Sequence, residues 1–508
     1  MTVLLRSSRE LDGLPADATH VHMANGAGIS PGILEEAFDK SGPEWWDLGK
    51  TLSAEPSAIL AHAPACVANA SDFGVMLAWT RLVETWANEG TTTVFVCDDP
   101  WMFRHLRELP GVIAGRAPSL LQRRMRLYLR GLAARCAVTL RIATARRPSS
   151  GDVQRDTAWL LVYGHPASTG DGMDGYFGDL MHKLPFLRRV VHVDCPPRRA
   201  CALGVSLHGY GYRPFALTLP FVRWRPKPPD RHRWLVRRAA AREGGTGQAA
   251  MIRWQLHCQR RFLRRARPRI VAWPWENHSW ERDFVRAARR AGVRTVGYQH
   301  SVVGRQMLNY APKSNPDGLA SIPDRVLCSG AATRDQLARW GVPDDRLGIG
   351  GALRFQRRSA PGHATTGPVF MALPFDGVTA AEMVEAARRA SARHNFLVKD
   401  HPMTPFAFDP SPGVERTELP LERHKEVSAV VYAATTVGLE AALARLPTLR
   451  FRPRGRIALD ILPDGVQMPT VDADGLAAAL DHPAAPGALN EARIFAPVDE
   501  AAWRAALT

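Results

Sequence analysis

The sequence predicts an α/β protein with parallel sheets, divided between two or more domains. Three observations carry this expectation. Short apolar runs rich in Val, Leu, Ile and Thr recur along the chain, each followed by a segment of helical period, which is the pattern of successive βαβ units. A length of 508 residues exceeds what one hydrophobic core fills. Two of the runs end in polar clusters, Val398-Lys399-Asp400-His401-Pro402 and Tyr432-Ala433-Ala434-Thr435-Thr436-Val437-Gly438-Leu439-Glu440-Ala441. In open α/β sheets, ligands bind outside the carboxyl ends of strands, and helix N-termini attract anions.

Taken in order, Thr92 to Cys97 reads as a strand ending at Asp98-Asp99-Pro100, with a helix from Trp101 to Leu109 behind it. Thr157 to Tyr163 is a second buried strand, ending in Gly164-His165-Pro166, and Val190 to Asp194 a third. Between the first two lies an arginine-rich helical stretch, near 116–150, which reads as an insertion into one sheet domain. Arg242 to Gln248 has the Gly-rich composition of an exposed linker. A helix from about Ala250 to Arg265 follows, then strands at Arg269–Trp273, Arg294–Tyr298 and Arg325–Cys328. Ser359 to Gly367 is the best candidate boundary. Beyond it come a strand at Val369–Leu373, a helix at Ala380–Ala392, a strand at Phe396–Lys399, a strand–helix set over Val427–Arg445 and a strand at Thr448–Phe451. The expected division is a first domain over 1–358, a second over 366–490, and a segment 491–508 whose last helix packs back on the first.

Hydrophobic content of 45% and charged content of 23% are those of a globular protein. No apolar run reaches the length of about 18 residues that a spanning helix needs. Met1-Thr2-Val3-Leu4-Leu5-Arg6 meets charge too early for a secretory leader, so a cytoplasmic location is expected. The seven cysteines are scattered and form no CxxC pair, which argues against a disulfide framework or a zinc motif.

Of the 66 basic residues 59 are arginine, and the net charge is +17. From Arg116 to Arg147 there are nine arginines and no acid, interleaved with Leu120, Leu121, Met125, Leu127, Tyr128, Leu129 and Leu132. A second basic stretch, Arg223 to Arg242, carries Trp224 and Trp234. Basic amphipathic segments of this kind fit an anionic membrane surface or a polyanionic acceptor, and a solvated helix face is the plain alternative. No nucleic acid partner is expected, because no helix-turn-helix, zinc finger or RNA-binding signature accompanies the charge.

The period of two places Lys399 and His401 on one face of their strand and Asp400 on the other. Thr435 and Thr436 precede a helix, where hydroxyls cap free N–H groups or face a phosphate. Glu440 lies one turn further on. The turn Thr169-Gly170-Asp171-Gly172-Met173-Asp174-Gly175-Tyr176 supplies two carboxylates after a strand, or is built of Asp and Gly for conformation alone. Asp98-Asp99 lacks the spacing of a DxD metal motif, and no GxxxxGK[ST], GxSxG or HExxH pattern occurs.

A strand ending in Lys-x-His-Pro, followed by strand–Thr435-Thr436–x-Gly-Leu-Glu-Ala, resembles the C-terminal half of GT-B glycosyltransferases. It is similar to bacterial sialyl- and polysialyltransferases and to CDP-glycerol glycerophosphotransferases. Trp275-Glu276-Asn277-His278 through Gly297-Tyr298-Gln299-His300-Ser301 also resembles bacterial surface-carbohydrate (capsule and lipopolysaccharide) transferases. The resemblance spans about Val271 to Arg452. It implies a GT-B fold of two Rossmann-like domains facing a central cleft, donor in the second and acceptor in the first. It implies no bound metal and no cofactor beyond the nucleotide-sugar substrate, for which a cytidine nucleotide is expected. His401, Pro402, Lys399, Thr435 and Thr436 would hold donor phosphate, Glu440 the ribose, and Gln299 the donor side of the cleft. Asp171, Asp174, His300 and Glu276 are the candidates for deprotonating an acceptor hydroxyl, with His165 as a rival. Thr-Thr stands where the sialyltransferases usually show serine first.

The expected reaction is transfer of a sugar, as from a CMP-linked acidic sugar such as sialic acid or Kdo, to a saccharide or lipid-linked acceptor at the inner face of the membrane. A CDP-polyol phosphotransferase or a UDP-sugar 2-epimerase would use the same scaffold. A non-catalytic membrane- or polyanion-binding scaffold would explain the charge but not the paired phosphate motifs.

Overall fold

The computed structural model describes residues 3–508 except 16, 67–69, 90–91, 146–155, 356–360, 403, 485–486 and 488. Among them are three larger sheets whose strands all run parallel.

The first sheet contains β1 (Val3–Arg6), β2 (Thr19–His22), β3 (Thr93–Val96) and β4 (Val112–Ala114) in the order β2-β3-β1-β4. The second contains β5 (Ala158–Val162), β6 (Arg188–Val191), β7 (Val205–Ser206), β8 (Ile270–Pro274), β9 (Arg294–Gln299), β10 (Arg325–Cys328) and β11 (Leu347–Ile349), in the order β11-β10-β9-β8-β5-β6-β7. A short pair joins β12 (Gly362–His363) to β16 (Glu426–Val427). The third sheet contains β13 (Val369–Ala372), β14 (Phe396–Lys399), β15 (Val414–Thr417), β17 (Ala429–Tyr432), β18 (Thr448–Phe451) and β19 (Thr470–Val471), in the order β15-β14-β13-β17-β18-β19. Every residue of β5, β8, β13, β17 and β18 is buried, as expected of central strands covered on both faces.

Counted along the chain, the third sheet has the doubly wound order 3-2-1-4-5-6, and the second has the same order with one strand added beyond the sixth. In each, the direction of winding reverses between the first and fourth strands: β13 and β17 in one, β5 and β8 in the other. A crevice opens at the carboxyl ends of such a pair. The two crevices face each other, giving the GT-B arrangement of two Rossmann-like sheets about a cleft.

The first sheet departs from the expectation that the run Thr92–Cys97 shares a sheet with Thr157–Tyr163. Thr93 pairs instead with Val3 on one side and Thr19 on the other, so β3 is enclosed by β1 and β2 in a sheet separate from that of β5. The basic segment forms a helix over Leu120–Thr144 that connects two sheets and is not inserted into one. Its expected end, 146–150, lies outside the described residues, as do Ser359 and Ala360 of the expected boundary.

The helix Glu500–Leu507 returns to the second sheet. Buried Trp503 meets Tyr298 edge-on at 5.1 Å and Phe177 at 5.8 Å, and its Nε1 donates to the Gly350 carbonyl at 2.9 Å. No helix among the described residues is long and apolar enough to cross a membrane.

All three sheets meet at one polar junction. Glu35, from a helix beside the first sheet, accepts from Gln306 Nε2 at 3.1 Å and from Arg450 Nη2 at 2.8 Å. Arg452 Nε reaches its other oxygen at 3.2 Å. Gln306 Oε1 in turn accepts from Asp460 N at 2.6 Å.

Candidate functional site

On the third sheet the site is built from the ends of β13, β14 and β17. The chain leaves β17 through Ala434, a non-glycine residue in the left-handed region at φ 49°. This conformation costs about 1 kcal/mol or more and is held only where the surroundings enforce it. It turns Thr435 and Thr436 toward the cleft ahead of the short helix Val437–Leu443. That helix lies directly on β17: a Cβ at Gly438 would stand 2.3 Å from the Tyr432 ring. The Thr436 hydroxyl donates to Glu440 Oε1 at 3.2 Å and does not cap the helix, while Thr435 Oγ1 accepts weakly from Val437 N at 3.4 Å. At the end of β14, Asp400 pairs with Arg416 at 2.6 Å. Lys399 Nζ donates to the Glu418 carbonyl at 2.8 Å. Burial lowers the pKa of His401, and the nearby Arg354 guanidinium lowers it further, so the ring is neutral at neutral pH.

Facing these are groups from the second sheet. His165 follows β5, the acidic turn packs behind it, and Arg354 follows β11. Together they enclose a cavity of about 750 Å³, lined by His165, Asp174, Ser301 and Arg354 on one side and by Lys399, His401, Pro402, Thr435, Thr436 and Glu440 on the other. The volume suits a ligand of nucleotide-sugar size. His165 Nδ1 accepts from Ala167 N at 3.1 Å, which leaves the ring proton on Nε2. Gly175 has to be glycine, since a Cβ there would lie 2.2 Å from the His165 ring.

The acidic turn brings its two aspartates to different places. Asp171 is exposed, does not line the cavity, and is bound by the Thr169 hydroxyl. That hydrogen bond, with one from Met173 N, lowers its pKa, the opposite of what a general base requires. Asp174 does line the cavity, but Tyr176 N at 2.9 Å and Phe177 N at 3.1 Å occupy Oδ1, and Oδ2 meets Ser168 Oγ at 3.3 Å and Arg189 Nη1 at 3.6 Å. Its carboxylate organises the turn. Asp99 is likewise structural, capping the helix that starts at Pro100 and pairing with Arg238 at 2.7 Å.

His300 and Glu276 sit behind the cavity wall. His300 stands edge-on to Tyr176 at 4.8 Å, and Tyr176 stands edge-on to His165 at 5.4 Å. Burial holds the His300 pKa down at about 4, with Arg354 acting in the same direction against Glu276. Its Nδ1 has no hydrogen-bond partner among the described residues. Glu276 Oε1 lies 3.9 Å from His300 Nε2, and Oε2 lies 2.6 Å from His278 Nε2. Burial would raise the Glu276 pKa, but His278, His300 and Arg354 hold it at about 2. Gln299 does not reach the donor side: it is buried, with Nε2 on the Tyr310 hydroxyl at 2.9 Å and Oε1 accepting from Ser301 N at 2.9 Å.

Arg354 lies outside the sequence reading, whereas Tyr176 and His278 fall within the segments 169–176 and 275–278 without a role of their own there. Arg354 was findable in principle, because it follows the strand Leu347–Ile349 and so stands where a parallel sheet presents ligand-binding groups. Its guanidinium lies 5.8 Å from the Tyr176 ring centroid.

No protein-family model and no curated protein matches this chain. Among solved structures, the calicheamicin glycosyltransferase CalG4 aligns at 14% identity and a TM-score of 0.40, over 65% of this chain and 89% of that one. MurG of Acinetobacter baumannii aligns at 11% identity and a TM-score of 0.33, over 64% and 88%. The UDP-GlcNAc 2-epimerase of Neisseria meningitidis bound to UDP-GlcNAc aligns at 10% identity and a TM-score of 0.31, over 58% and 82%. Agreement at this level concerns architecture only.

Proposed function

We propose that the chain is a GT-B glycosyltransferase that moves a sugar from a nucleotide donor to a saccharide or lipid-linked acceptor of a bacterial surface polysaccharide. The observation that carries this reading is the single cavity that joins His401, Thr435 and Thr436 to His165 and Arg354 at the facing strand ends. His401 and the Thr435–Thr436 turn donate to the leaving phosphate as charge develops on it, and Arg354 offsets that charge across the cleft. Lys399 and Arg354 line the cavity with His401, and the donor proposed for it is a CMP-linked acidic sugar. Glu440, fixed by Thr436, is placed for a ribose diol. His165 is the imidazole that lines the cavity, and the acceptor hydroxyl meets it there; His300, Glu276 and Asp171 do not line the cavity.

The helix Leu120–Thr144 supports contact with an anionic membrane. Leu121, Met125 and Leu129 recur every four residues and are all exposed, among arginines 123, 124, 126 and 130. Phe221, at the end of the adjoining 3-10 stretch, is 80% exposed. An apolar stripe flanked by cations is the pattern of an interfacial helix, and it would bring the enzyme to a lipid-linked acceptor.

The test is a thermal-shift series with CMP, CDP, UDP, GDP and dTDP on wild type and His401→Ala. A saturating nucleotide stabilises by about 2–4 kcal/mol. Stabilisation by one nucleotide, lost in His401→Ala, supports the assignment and names the donor base; no response to any of them overturns it. Product release from the matching nucleotide sugar without acceptor would point to the epimerase reaction, and polyol-phosphate transfer to the phosphotransferase.

A further inference from the structure

Where the helical layer of the first sheet meets the second, three side chains with metal-binding atoms converge. His62 and Cys66 follow the 3-10 turn Pro56–Leu60, and His278 stands at the N-terminus of the helix Ser279–Arg290. Cys66 Sγ, one ring nitrogen of His62 and one of His278 all lie within 4.8 Å of one another. Cys66 Sγ is 2.5 Å from His278 Nδ1.

The surroundings fix each of these groups. Glu243 Oε2 accepts from the backbone N–H of His62 at 2.8 Å and of Ala63 at 2.9 Å, and its other oxygen accepts from Ser71 Oγ at 2.8 Å. Glu281 Oε2 accepts from His278 N at 2.5 Å. The far nitrogen of His278, Nε2, is 2.6 Å from Glu276 Oε2. A carboxylate on the outer nitrogen of a histidine is the standard support of a metal-ligating imidazole, setting its tautomer and raising its basicity. Cys66 is fully buried, and His62 Nδ1 is buried with no hydrogen-bond partner among the described residues. A buried polar atom with no partner calls for one, and a cation bound among these ligands would meet that need.

We propose that His62, Cys66 and His278 bind one zinc ion, with Glu276 as the outer carboxylate on His278. A thiolate with two imidazoles suits zinc, whereas magnesium and calcium take oxygen ligands. Bond lengths of about 2.3 Å to sulfur and about 2.0 Å to nitrogen set the ligand atoms of a tetrahedral site about 3.5 Å apart. Binding therefore opens the Cys66–His278 contact by about 1 Å and releases the thiol proton to solvent. Three protein ligands leave a fourth position for water or substrate. The ion would tie the 62–66 segment to the second sheet and hold Glu276 in place beside His300. The inference does not depend on the identity of the donor or on the transferase reading.

Elemental analysis of protein purified without chelator should find about one zinc per chain. Replacing it with cobalt(II) should give the visible bands of a tetrahedral site and a thiolate-to-metal absorption. Both signals should disappear in Cys66→Ser, and weaken in His62→Gln, which removes a ligand from a partly exposed position and leaves the thiol intact. Glu276→Gln should weaken zinc about 10- to 100-fold while keeping the thiolate band. Zinc well below one per chain before and after reconstitution, together with no thiolate band from the wild type, would overturn the proposal. So would bands that persist unchanged in both Cys66→Ser and His62→Gln, since they would place the metal elsewhere.

Discussion

Glu35 and Arg450 meet at 2.8 Å with each side chain only 5% exposed, though 415 positions separate them in the chain. Removing one member of such a pair strands the other charge away from water, at a cost of about 3–5 kcal/mol. Glu35→Ala should lower the unfolding free energy by about that amount in a denaturant titration. A change below about 1 kcal/mol would mean that Asp460 and the Ala458 carbonyl, the other partners of Arg450, suffice without it.

Nucleotide affinity should depend on pH through His401. In the free protein, burial and Arg354 keep its pKa below the usual imidazole value of about 6.5. A bound phosphate would raise it, so the complex takes up a proton over the interval between the two values. Affinity should rise as pH falls through that interval and level off below it. Calorimetric titration of the stabilising nucleotide between pH 8 and pH 5 reads this directly, and His401→Gln should flatten the profile.

The candidate acid–base groups separate by mutation. His165→Ala should lower kcat about 10²- to 10⁴-fold, the usual contribution of a positioned acid–base group, because its ring lines the cavity, with nucleotide binding nearly unchanged. Asp171→Asn should leave turnover within a few-fold of wild type, because that side chain is exposed and engaged within its own turn. The reverse ranking would return the base to the acidic turn.

Membrane contact should be lost when acidic side chains replace the apolar stripe on one helix face. The triple variant Leu121→Glu, Met125→Glu, Leu129→Glu should abolish co-sedimentation with vesicles containing anionic lipid. Its melting temperature should stay near that of the wild type, since these side chains are exposed. Equal sedimentation of variant and wild type would leave the stripe a solvated surface.

The sheet strands were legible because central parallel strands are unbroken apolar runs, as Ala158–Val162 and Ile270–Pro274 show. What the pattern could not reveal was which runs pair. Val3–Arg6 is short and alternates buried with half-buried positions, so nothing local marked it as the partner of Thr93–Val96. That His401, Thr435, Thr436 and Glu440 line one wall of the cavity was readable from strand ends, where topology alone decides what faces the cleft. The chemistry of the opposite wall was less accessible. Whether Asp171 or Asp174 is free depends on hydrogen bonds inside a turn, and Gln299 turned inward to Tyr310. His62 and Cys66 are four residues apart, but His278 lies 212 positions beyond Cys66, and only the fold brings it to them.

The Trp503 helix has a consequence for biosynthesis. Its residues are made after every strand of the third sheet, yet they complete the core of the second, against Tyr298 and Phe177. During translation the second sheet therefore waits, with that apolar surface uncovered, until the third has left the ribosome. One face of the later-made sheet closes on its own helices, while the other also waits for Ile494 and Phe495. Completion of both sheets thus depends on the last residues to emerge, and the interval before they do leaves apolar surface open to a chaperone.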